Sequence, residues 1–324
     1  MSPESSQSFR VAFIALRLAF RLEIDGARMA RLTDPVRALR KEVFSKDWPL
    51  DEEIREIATS LPSHGFLANP SSQYLYIYLT RFVKVLAEEH FGGPFHDLSI
   101  LDWGCGKGHV SKLIRDLGPR CLDSCDLLSE GGDSTFGQEV PIIKQFIIPV
   151  EPLRHEYVLP YPSSSFDVIL SVGVLEHVAN ERASLAEITR VLKPRGLFFC
   201  FFLPTKLSWT QQVSRWRGVN YHDRLYTGGR IREMLSRVGL ELLDIWYRQL
   251  FPKNSVTYPN FRLFERIDQF ITENTSLRYF ATNIEFVSVK PYPGTEKSVA
   301  VARAKSDVHA PAKASKTLSS RTAP

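Results

Sequence analysis

Short apolar runs alternate with amphipathic segments between Leu98 and about Lys290. Turn residues bound the runs, which is typical of strands that helices cover on both faces. The segments between the runs place apolar residues at helical spacing. This alternation predicts an α/β fold, a Rossmann-like, doubly wound sheet of about seven strands. The predicted strands are residues 98–104, 120–127, 166–173 and 196–204, and the predicted helices are 109–117, 181–192 and 228–238.

Two stretches of this region depart from the alternation. Residues 240–251 and 281–290 follow one another as apolar runs, and we predict that they close the sheet as a pair of strands. Residues 128–157 show no helical period, although a doubly wound fold is expected to have a helix there. We therefore expect one domain over residues 96–290, with an unassigned connection after its second strand.

Residues 1–95 are predicted to form a helical extension before this domain. Helical patterns cover 51–61 and 72–91, and turn-forming residues join them. A further helical pattern over 8–28 places four arginines on one line of the helix and apolar residues around most of the rest. It fits a lid packed on the core or a helix on an anionic membrane surface, and packing is the favoured interpretation.

Composition and charge narrow the function classes. The chain has 324 residues and a net charge of +5, and much of that excess lies near its two ends. Residues 291–324 are basic and poor in large apolar side chains, so we predict a disordered tail. The central region has no interleaving of basic and aromatic residues, and nucleic-acid binding is therefore not expected.

The sequence also bears on where the protein acts. No apolar run reaches the roughly 18–20 residues that cross a bilayer. The four cysteines have neither the spacing of a zinc site nor that of a secreted disulfide framework. We expect a cytoplasmic protein, with peripheral contact at the inner membrane surface through residues 8–28 as the alternative.

A glycine-rich turn carries the main functional signal. In ILDWGCGKGH, an apolar strand ends near Asp102, three alternate glycines follow, and a helix begins. Such a turn lets a ligand approach bare backbone N–H groups and the N-terminus of the helix. A nicotinamide-binding loop looks similar, but its GxGxxG spacing requires a glycine where this chain has His109. Asp126 ends the next strand, where an acidic side chain can accept hydrogen bonds from both ribose hydroxyls.

Three blocks in this order resemble the class I S-adenosylmethionine-dependent methyltransferases, particularly the small-molecule group related to ubiquinone and menaquinone methyltransferases. Besides the glycine turn, the blocks are LPYPSSSFDVILSVGVLEHV at 159–178 and LAEITRVLKPRGLFFCFF at 185–202. The resemblance implies a class I methyltransferase domain at 96–290 and S-adenosylmethionine as the cofactor. The later stretch 222–244 resembles the helix and strand that commonly close such domains.

The resemblance also implies roles for individual residues. The turn would line the methionine end of the cofactor, the second strand end would hold the ribose and adenine, and the fourth strand end would form the floor beneath the sulfonium. An acidic residue that the family often has near the adenine is missing, and Glu156 is the substitute that we predict. The predicted cofactor residues are Asp102, Gly104, Cys105, Gly106, Asp126, Leu127, Glu156 and Ser171.

Methyl transfer to a hydroxyl requires an aligned acceptor and removal of its proton, for which a histidine is a natural base. His177 follows the fourth strand, and His222 lies in a segment that we expect on the acceptor side; these two are the catalytic candidates. A loop-fixing role remains the alternative for His177, and a helix-capping role with Asp223 remains the alternative for His222. Some quinone methyltransferases bind a divalent metal through ExxEH, but Gly173 replaces the first glutamate here, so we predict no metal.

The sequence therefore predicts a methyltransferase acting on a small-molecule or lipid-linked acceptor, with O-methylation favoured. Two alternatives from other classes remain at this point. One is a nucleotide-dependent oxidoreductase of similar topology. The other is a non-catalytic adaptor at a membrane surface that retains the fold and uses the arginine stripe of residues 8–28.

Overall fold

The computed structural model describes residues 30–46, 48, 70–127, 148–218, 222, 224–252 and 258–292. Several predicted segments lie outside these residues. They are the arginine-striped helix at 8–28, the helix at 51–61, most of the connection at 128–157 and nearly all of the tail at 291–324.

The described residues form a sheet of seven strands in the order β3-β2-β1-β4-β5-β7-β6. The strands from β1 to β5 are parallel to one another, and β7 is antiparallel to both β5 and β6. This confirms the predicted α/β, Rossmann-like sheet. The strands are β1 Ser99–Trp103, β2 Cys121–Leu127, β3 Val150–Leu153, β4 Phe166–Val172, β5 Leu192–Pro204, β6 Glu241–Arg248 and β7 Asn283–Val289.

Helices cover both faces of the sheet, which is why its central strands are apolar at almost every position. One core lies between the sheet and α2 and α3, and the other lies between the sheet and α4 and α6. Ile100 and Leu101 of β1 belong to opposite cores and are fully buried. The helices are α1 Ala30–Ser45, α2 Pro70–Phe91, α3 His109–Asp116, α4 Glu181–Val191, α5 Trp209–Trp216, α6 Gly228–Arg237 and α7 Phe261–Asn274.

Local chemistry explains most of the helix starts. Asn180, Ser208, Thr227 and Asn260 each accept, through the side chain, a backbone N–H three residues on, and so cap α4, α5, α6 and α7. The predicted closing strands are present as β6 and β7, paired antiparallel. The edge strand β3 was not predicted, and β5 begins at Leu192, earlier than its predicted start. Among the described residues, no helix is both long enough and apolar enough to cross a membrane.

A buried arginine fastens the extension to the sheet. Arg40 of α1 is 1% exposed, and its Nε donates to Oδ2 of Asp244 on β6 at 2.7 Å. A second nitrogen of the same guanidinium donates to Glu273 of α7. The ring of Trp246 lies 4.8 Å below the guanidinium carbon. These contacts join α1, β6 and α7 through one cation that is removed from solvent.

Candidate active site

A cavity of about 540 Å³ opens at the carboxyl ends of β1, β2 and β4. Open α/β sheets bind ligands at this edge, where the strand order reverses direction between β1 and β4. The lining comes from the glycine turn after β1, the end of β2, the loop after β4, residues near the ends of β5 and β6, and α2. The cavity therefore joins most of the predicted site to a wall that the sequence analysis did not identify.

The glycine turn is held against the end of β2. The backbone N–H groups of Gly104 and Cys105 both donate to the carbonyl of Cys125, at 2.9 and 3.1 Å. Gly104 has φ +75°, and a Cβ at this position would lie 2.4 Å from a methyl carbon of Val174. No larger residue fits there without displacing the loop after β4, so the glycine is required by both backbone conformation and space.

Asp102 lies beneath the turn and is 1% exposed. Its Oδ2 accepts a hydrogen bond from Oγ of Ser111 at 2.6 Å, and Ser124 donates in turn to Ser111 at 3.0 Å. Burial raises the pKa of Asp102 to about 7, and the nearby carboxylate of Asp126 adds to the rise. The carboxyl group is therefore ready to gain from a cationic ligand, which would offset its loss of hydration.

Asp126 connects the end of β2 to the turn. Its Oδ2 accepts the backbone N–H of Gly106 at 2.7 Å, and its Oδ1 accepts that of Leu127 at 2.7 Å. Burial raises the pKa of this carboxyl group to about 6, against the effect of both hydrogen bonds. A carboxylate offers about four acceptor positions, so two further donors can still bind it from the cavity.

The eight predicted cofactor residues do not all reach the cavity. Asp102, Gly104, Cys105, Gly106 and Asp126 line it, whereas the other three are not among its lining residues. Leu127 is half-buried and packs on the core beside α4, and Ser171 is fully buried at the end of β4, just before the lining residue Val172. Glu156 is exposed in the loop after β3.

Both catalytic candidates meet at the cavity. The rings of His177 and His222 have their centroids 5.7 Å apart, and Nε2 of His177 lies 3.8 Å from Oε1 of Glu176. One ligand atom from each of the three residues falls within 4.8 Å of the others. The Glu176 side chain is 3% exposed, and burial raises its pKa to about 7. We call Glu176, His177 and His222 the acid–imidazole cluster.

This cluster also changes the donor set for a metal. The prediction of no metal considered Glu176 and His177 alone, because His222 is 45 residues further along the chain. Two imidazoles and one carboxylate fit a transition-metal ion better than Mg²⁺, which prefers oxygen ligands. The same cluster also suits proton removal, since burial raises the pKa of its Glu176 carboxyl group to about 7.

The loop that carries Glu176 and His177 is fastened by residues that the sequence analysis did not identify. Arg224 donates to the carbonyls of Glu176 at 3.3 Å and Ala179 at 3.2 Å, and also to that of Val178. Three carbonyl contacts from one guanidinium bring the loop and the segment carrying His222 together. No sequence spacing signals these bonds, because they join positions about 45 residues apart.

Tyr226 completes this fastening. Its hydroxyl group donates to Oε1 of Glu181 at 2.6 Å and lies 3.2 Å from the carbonyl of Leu175, while its own backbone N–H bonds the carbonyl of Pro204. The ring is fully buried. The loop after β4 is therefore connected to the end of β5 through a single residue, whose hydroxyl group contacts the loop and whose backbone bonds the strand.

The remaining wall of the cavity is aromatic and polar but uncharged. Tyr76 of α2 packs edge-on against the rings of His109, at 4.6 Å, and Phe202, at 5.5 Å. Gln249 and Asn283 line the same cavity, at the edge formed by the carboxyl end of β6 and the amino end of β7. The predicted extension thus contributes directly to the cavity through α2, although its aromatic positions were indistinguishable from core positions in the sequence.

Comparisons with known proteins find related sequences among methyltransferases. The chain is 28% identical over 179 residues to a ubiquinone biosynthesis O-methyltransferase of Maricaulis maris, covering 50% of this chain and 67% of the relative. It is 26% identical over 179 residues to a probable S-adenosylmethionine-dependent methyltransferase of Mycolicibacterium smegmatis, covering 51% and 65%. For a similar ubiquinone biosynthesis O-methyltransferase of Cereibacter sphaeroides the covered share of the relative is 63%. The chain thus spans about two thirds of these relatives' length.

One solved structure is a Burkholderia thailandensis 1,6-didemethyltoxoflavin-N1-methyltransferase with bound 1,6-didemethyltoxoflavin and S-adenosylhomocysteine. It is 17% identical, covers 76% of this chain and 94% of its own, and has a TM-score of 0.41. The family described as a methyltransferase domain matches residues 46–245, which is more than half of the chain. The chain therefore belongs to the methyltransferase-domain family, whose class I members use S-adenosylmethionine as the cofactor.

Proposed function

We propose that this chain transfers the methyl group of S-adenosylmethionine to an oxygen of a small-molecule acceptor. The observation that carries the proposal is the shared cavity, which places the glycine turn and the acid–imidazole cluster around one space. The first supplies a place for the cofactor and the second supplies a base. Family membership favours this function over the oxidoreductase alternative.

The glycine turn is the proposed site of the amino acid end of the cofactor. Gly104, Cys105 and Gly106 let the ligand approach the backbone, and the N-terminus of α3 favours its carboxylate. Asp102 would interact with the ammonium group, and this contact would compensate the cost of burying an ionised carboxylate. The cofactor brings an electrophilic methyl group on a sulfonium, which this chain's residues have only to position.

The end of β2 is the proposed site of the ribose. Asp126 would accept the ribose hydroxyls with the acceptor positions that Gly106 and Leu127 leave open. Leu127 and Ser171 would support the pocket from behind, since each adjoins a lining residue. Glu156 is omitted from the proposed site because it is exposed and outside the lining.

The acid–imidazole cluster is the proposed base. A group with a pKa near neutrality both takes up a phenolic proton and releases it to water at physiological pH. His177 is exposed at the cavity, and Glu176 lies behind it, buried, where it stabilises a protonated imidazole. This arrangement supports O-methylation, because a hydroxyl acceptor needs its proton removed during transfer.

We propose that the acceptor is a small molecule. A phenol that is linked to a lipid is the more specific alternative. The names of the curated relatives support an oxygen acceptor. The adaptor alternative and peripheral contact at the inner membrane surface depend on residues 8–28, which lie outside the described residues. Both remain predictions from the sequence.

The proposal is tested by cofactor binding and by methyl transfer. Titration calorimetry with S-adenosylhomocysteine should give a micromolar dissociation constant, and Asp102→Ala and Asp126→Ala should each abolish binding. Intact binding in both variants would refute the assigned cofactor site. Labelled methyl donor and a set of phenols should then give an O-methylated product by mass spectrometry. Products methylated only at nitrogen or carbon would contradict O-methylation.

A further inference from the structure

Helix α7 turns a polar side toward the protein. Its residues Glu265, Asp268 and Thr272 are 6%, 2% and 4% exposed. Glu265 forms an ion pair with the buried Arg248 at 3.5 Å, and Asp268 accepts two backbone N–H groups just after β6, at 3.1 and 3.0 Å. Much of the attachment of this helix to the sheet is therefore polar.

The opposite side of α7 carries an apolar stripe that faces solvent. Leu263, Ile267 and Phe270 are 50%, 38% and 66% exposed. Their spacing places them within about 60° of one another around the helix. An amphipathic helix of a folded domain ordinarily turns such a stripe toward the core. The reversed orientation of α7 leaves an apolar face for a partner.

Helix α5 contributes two exposed tryptophans beside this stripe. Trp209 and Trp216 are 40% and 86% exposed and lie seven residues apart, on one side of the helix. The indole N–H of Trp209 donates to the carbonyl of Leu250 at 2.7 Å, and the ring of Phe251 packs against that of Phe264 in α7, at 5.8 Å. This short connection joins the two helices. We call their exposed apolar residues the α5–α7 face; they are Trp209, Trp216, Leu263, Ile267 and Phe270.

The exposed charges on this part of the described chain are all positive. Residues 205–218 contain no aspartate or glutamate, and the carboxylates within residues 258–281 are the buried ones of Glu265, Asp268 and Glu273. A surface with this charge attracts an anionic partner. The exposed basic residues are Lys206, Arg215, Arg217, Arg262 and Arg266.

The sign of the charge narrows the choice of occupant. Residues 8–28 and 291–324 are basic, and a second copy of the α5–α7 face is basic as well, so each would be repelled. An anionic lipid surface supplies the negative charge, and its headgroup region accommodates tryptophan, leucine and phenylalanine side chains. Arginines beside an apolar stripe can bind lipid phosphates while their alkyl chains stay on apolar surface.

We propose that the α5–α7 face docks on an anionic lipid bilayer, with the stripe of α7 in the headgroup region and the neighbouring arginines on lipid phosphates. Contact of this kind lies in the plane of the interface and requires no spanning helix. The face adjoins the cavity, because Thr210 of α5 is hydrogen-bonded at 3.0 Å to Thr282, which lines it. Docking therefore brings one side of the cavity close to the lipid surface.

Vesicle flotation of the full chain tests this docking. The vesicles contain phosphatidylcholine alone, or phosphatidylcholine with about one quarter phosphatidylglycerol. The protein should bind the anionic vesicles about tenfold or more tightly, and added salt should remove this difference. Lipids with brominated chains should quench the tryptophan fluorescence, and Trp216→Phe should lose much of that quenching.

Two paired variants separate the apolar contribution from the basic one. Ile267→Ser combined with Phe270→Ser should weaken binding to anionic vesicles by about tenfold, because the stripe is lost. Arg262→Gln combined with Arg266→Gln should weaken it by a similar factor of about ten, because two charges are lost. All four side chains are exposed, so the melting temperature and S-adenosylhomocysteine affinity should match the wild type.

Matched controls change exposed residues away from the α5–α7 face. Val158→Ser alters a side chain that is 45% exposed in the loop after β3. Arg182→Gln combined with Arg237→Gln removes two exposed arginines from α4 and α6, the helices that pack on the other core. Both controls should bind anionic vesicles as the wild type does.

Three results would overturn the proposed docking. They are equal binding of the wild type to both kinds of vesicle, absence of binding to either kind, and wild-type binding by both paired variants. The third result would assign vesicle binding to another part of the chain, such as residues 8–28. Absence of binding would leave an acidic protein, or the acidic stretch 51–56 of this chain, as the partner of the arginines.

Discussion

Oδ2 of Asp126 accepts the backbone N–H of Gly106 at 2.7 Å, and this bond joins the end of β2 to the glycine turn after β1. The carboxylate thus shapes the turn as well as facing the cavity. Asp126→Asn is nearly identical in shape but places an amide where one oxygen accepts from the backbone. We expect this substitution to weaken S-adenosylhomocysteine binding by about tenfold or more, because two charge-assisted hydrogen bonds become neutral or are lost.

Calorimetry measures this loss, and Asp123→Asn on the same strand provides the control. Asp123 is half-buried and does not line the cavity. Equal affinities of the two variants would show that the carboxylate of Asp126 has no part in cofactor binding.

The fit of Gly104 against Val174 gives a second prediction. Gly104→Ala places a methyl group 2.4 Å from a Val174 methyl carbon and imposes φ +75° on a residue with a side chain. Left-handed backbone alone costs about 1–2 kcal/mol, and the overlap adds to it. We expect a lower melting temperature and loss of S-adenosylhomocysteine binding.

A compensating change separates the backbone strain at position 104 from the steric overlap with Val174. Val174→Ala in the Gly104→Ala background removes the overlap but leaves the backbone strain, so binding should return in part. If the double variant recovered no binding, the overlap with Val174 would not be the reason that position 104 requires glycine. The single variant Val174→Ala is the matched control.

The pH dependence of cofactor binding follows from Asp102. Its pKa is about 7 in the folded, ligand-free protein and 3.8 ordinarily. A cationic ammonium favours the ionised carboxylate, so S-adenosylhomocysteine affinity should rise from about pH 5.5 to about 7.5 and then level off. Asp102→Asn should bind weakly and lose most of this dependence. A flat profile in the wild type would contradict the contact between Asp102 and the ammonium.

The same raised pKa makes a prediction about stability. The folded protein holds this proton at a higher pH than the unfolded chain does. The contribution of Asp102 to the free energy of unfolding therefore falls as pH rises from about 4 to about 7. Denaturant unfolding should show the wild type losing stability relative to Asp102→Asn over this window. A constant difference between the two proteins would show that the folded pKa is not raised.

Glu176 gives the prediction for the chemical step. Glu176→Gln removes the charge behind His177 and should lower methyl transfer by about 10²-fold, with S-adenosylhomocysteine affinity within about twofold. The wild-type rate should rise with pH through about 7, and the variant should lose that titration. Unchanged transfer in Glu176→Gln would remove this residue from the proposed base.

Chelation separates proton removal from cation binding at the acid–imidazole cluster. Dialysis against a chelator should leave both methyl transfer and melting temperature unchanged, because the proposed base needs no metal. Loss of activity that Zn²⁺ restores in the wild type, but not in His222→Ala, would assign the cluster to a metal instead.

The parts of the protein that could be predicted from sequence are those with local signals. The glycine turn, the helices α4 and α6 and the apolar strands depend on neighbouring residues, and the structure places each within a few positions of its prediction. The acid–imidazole cluster could not be predicted as a set, because it depends on the contact of Glu176 and His177 with His222, and no sequence spacing indicates that contact. Likewise, Tyr76 has the pattern of a core residue, and only the fold turns it toward the cavity.

The short strand β3 shows a different limit. Val150–Leu153 is an edge strand with two exposed positions, so it lacks the apolar run that marked its neighbours. Its pairing with β2 supplies what its own sequence does not. The sequence pattern of an edge strand is weak in general, since only one side of its backbone pairs with another strand and one face is often exposed to solvent.

The position of β7 constrains how the chain acquires its fold during translation. Its backbone bonds β5 on one side and β6 on the other, yet residues 283–289 are synthesised after both. Until they leave the ribosome, one edge of β5 stays open and β6 has no partner strand, so both are available for pairing with other nascent chains. The last strand to be synthesised is therefore an inner strand of the sheet, inserted between β5 and β6. A chaperone that shields the open edges would act in the interval between the emergence of β6 and that of β7.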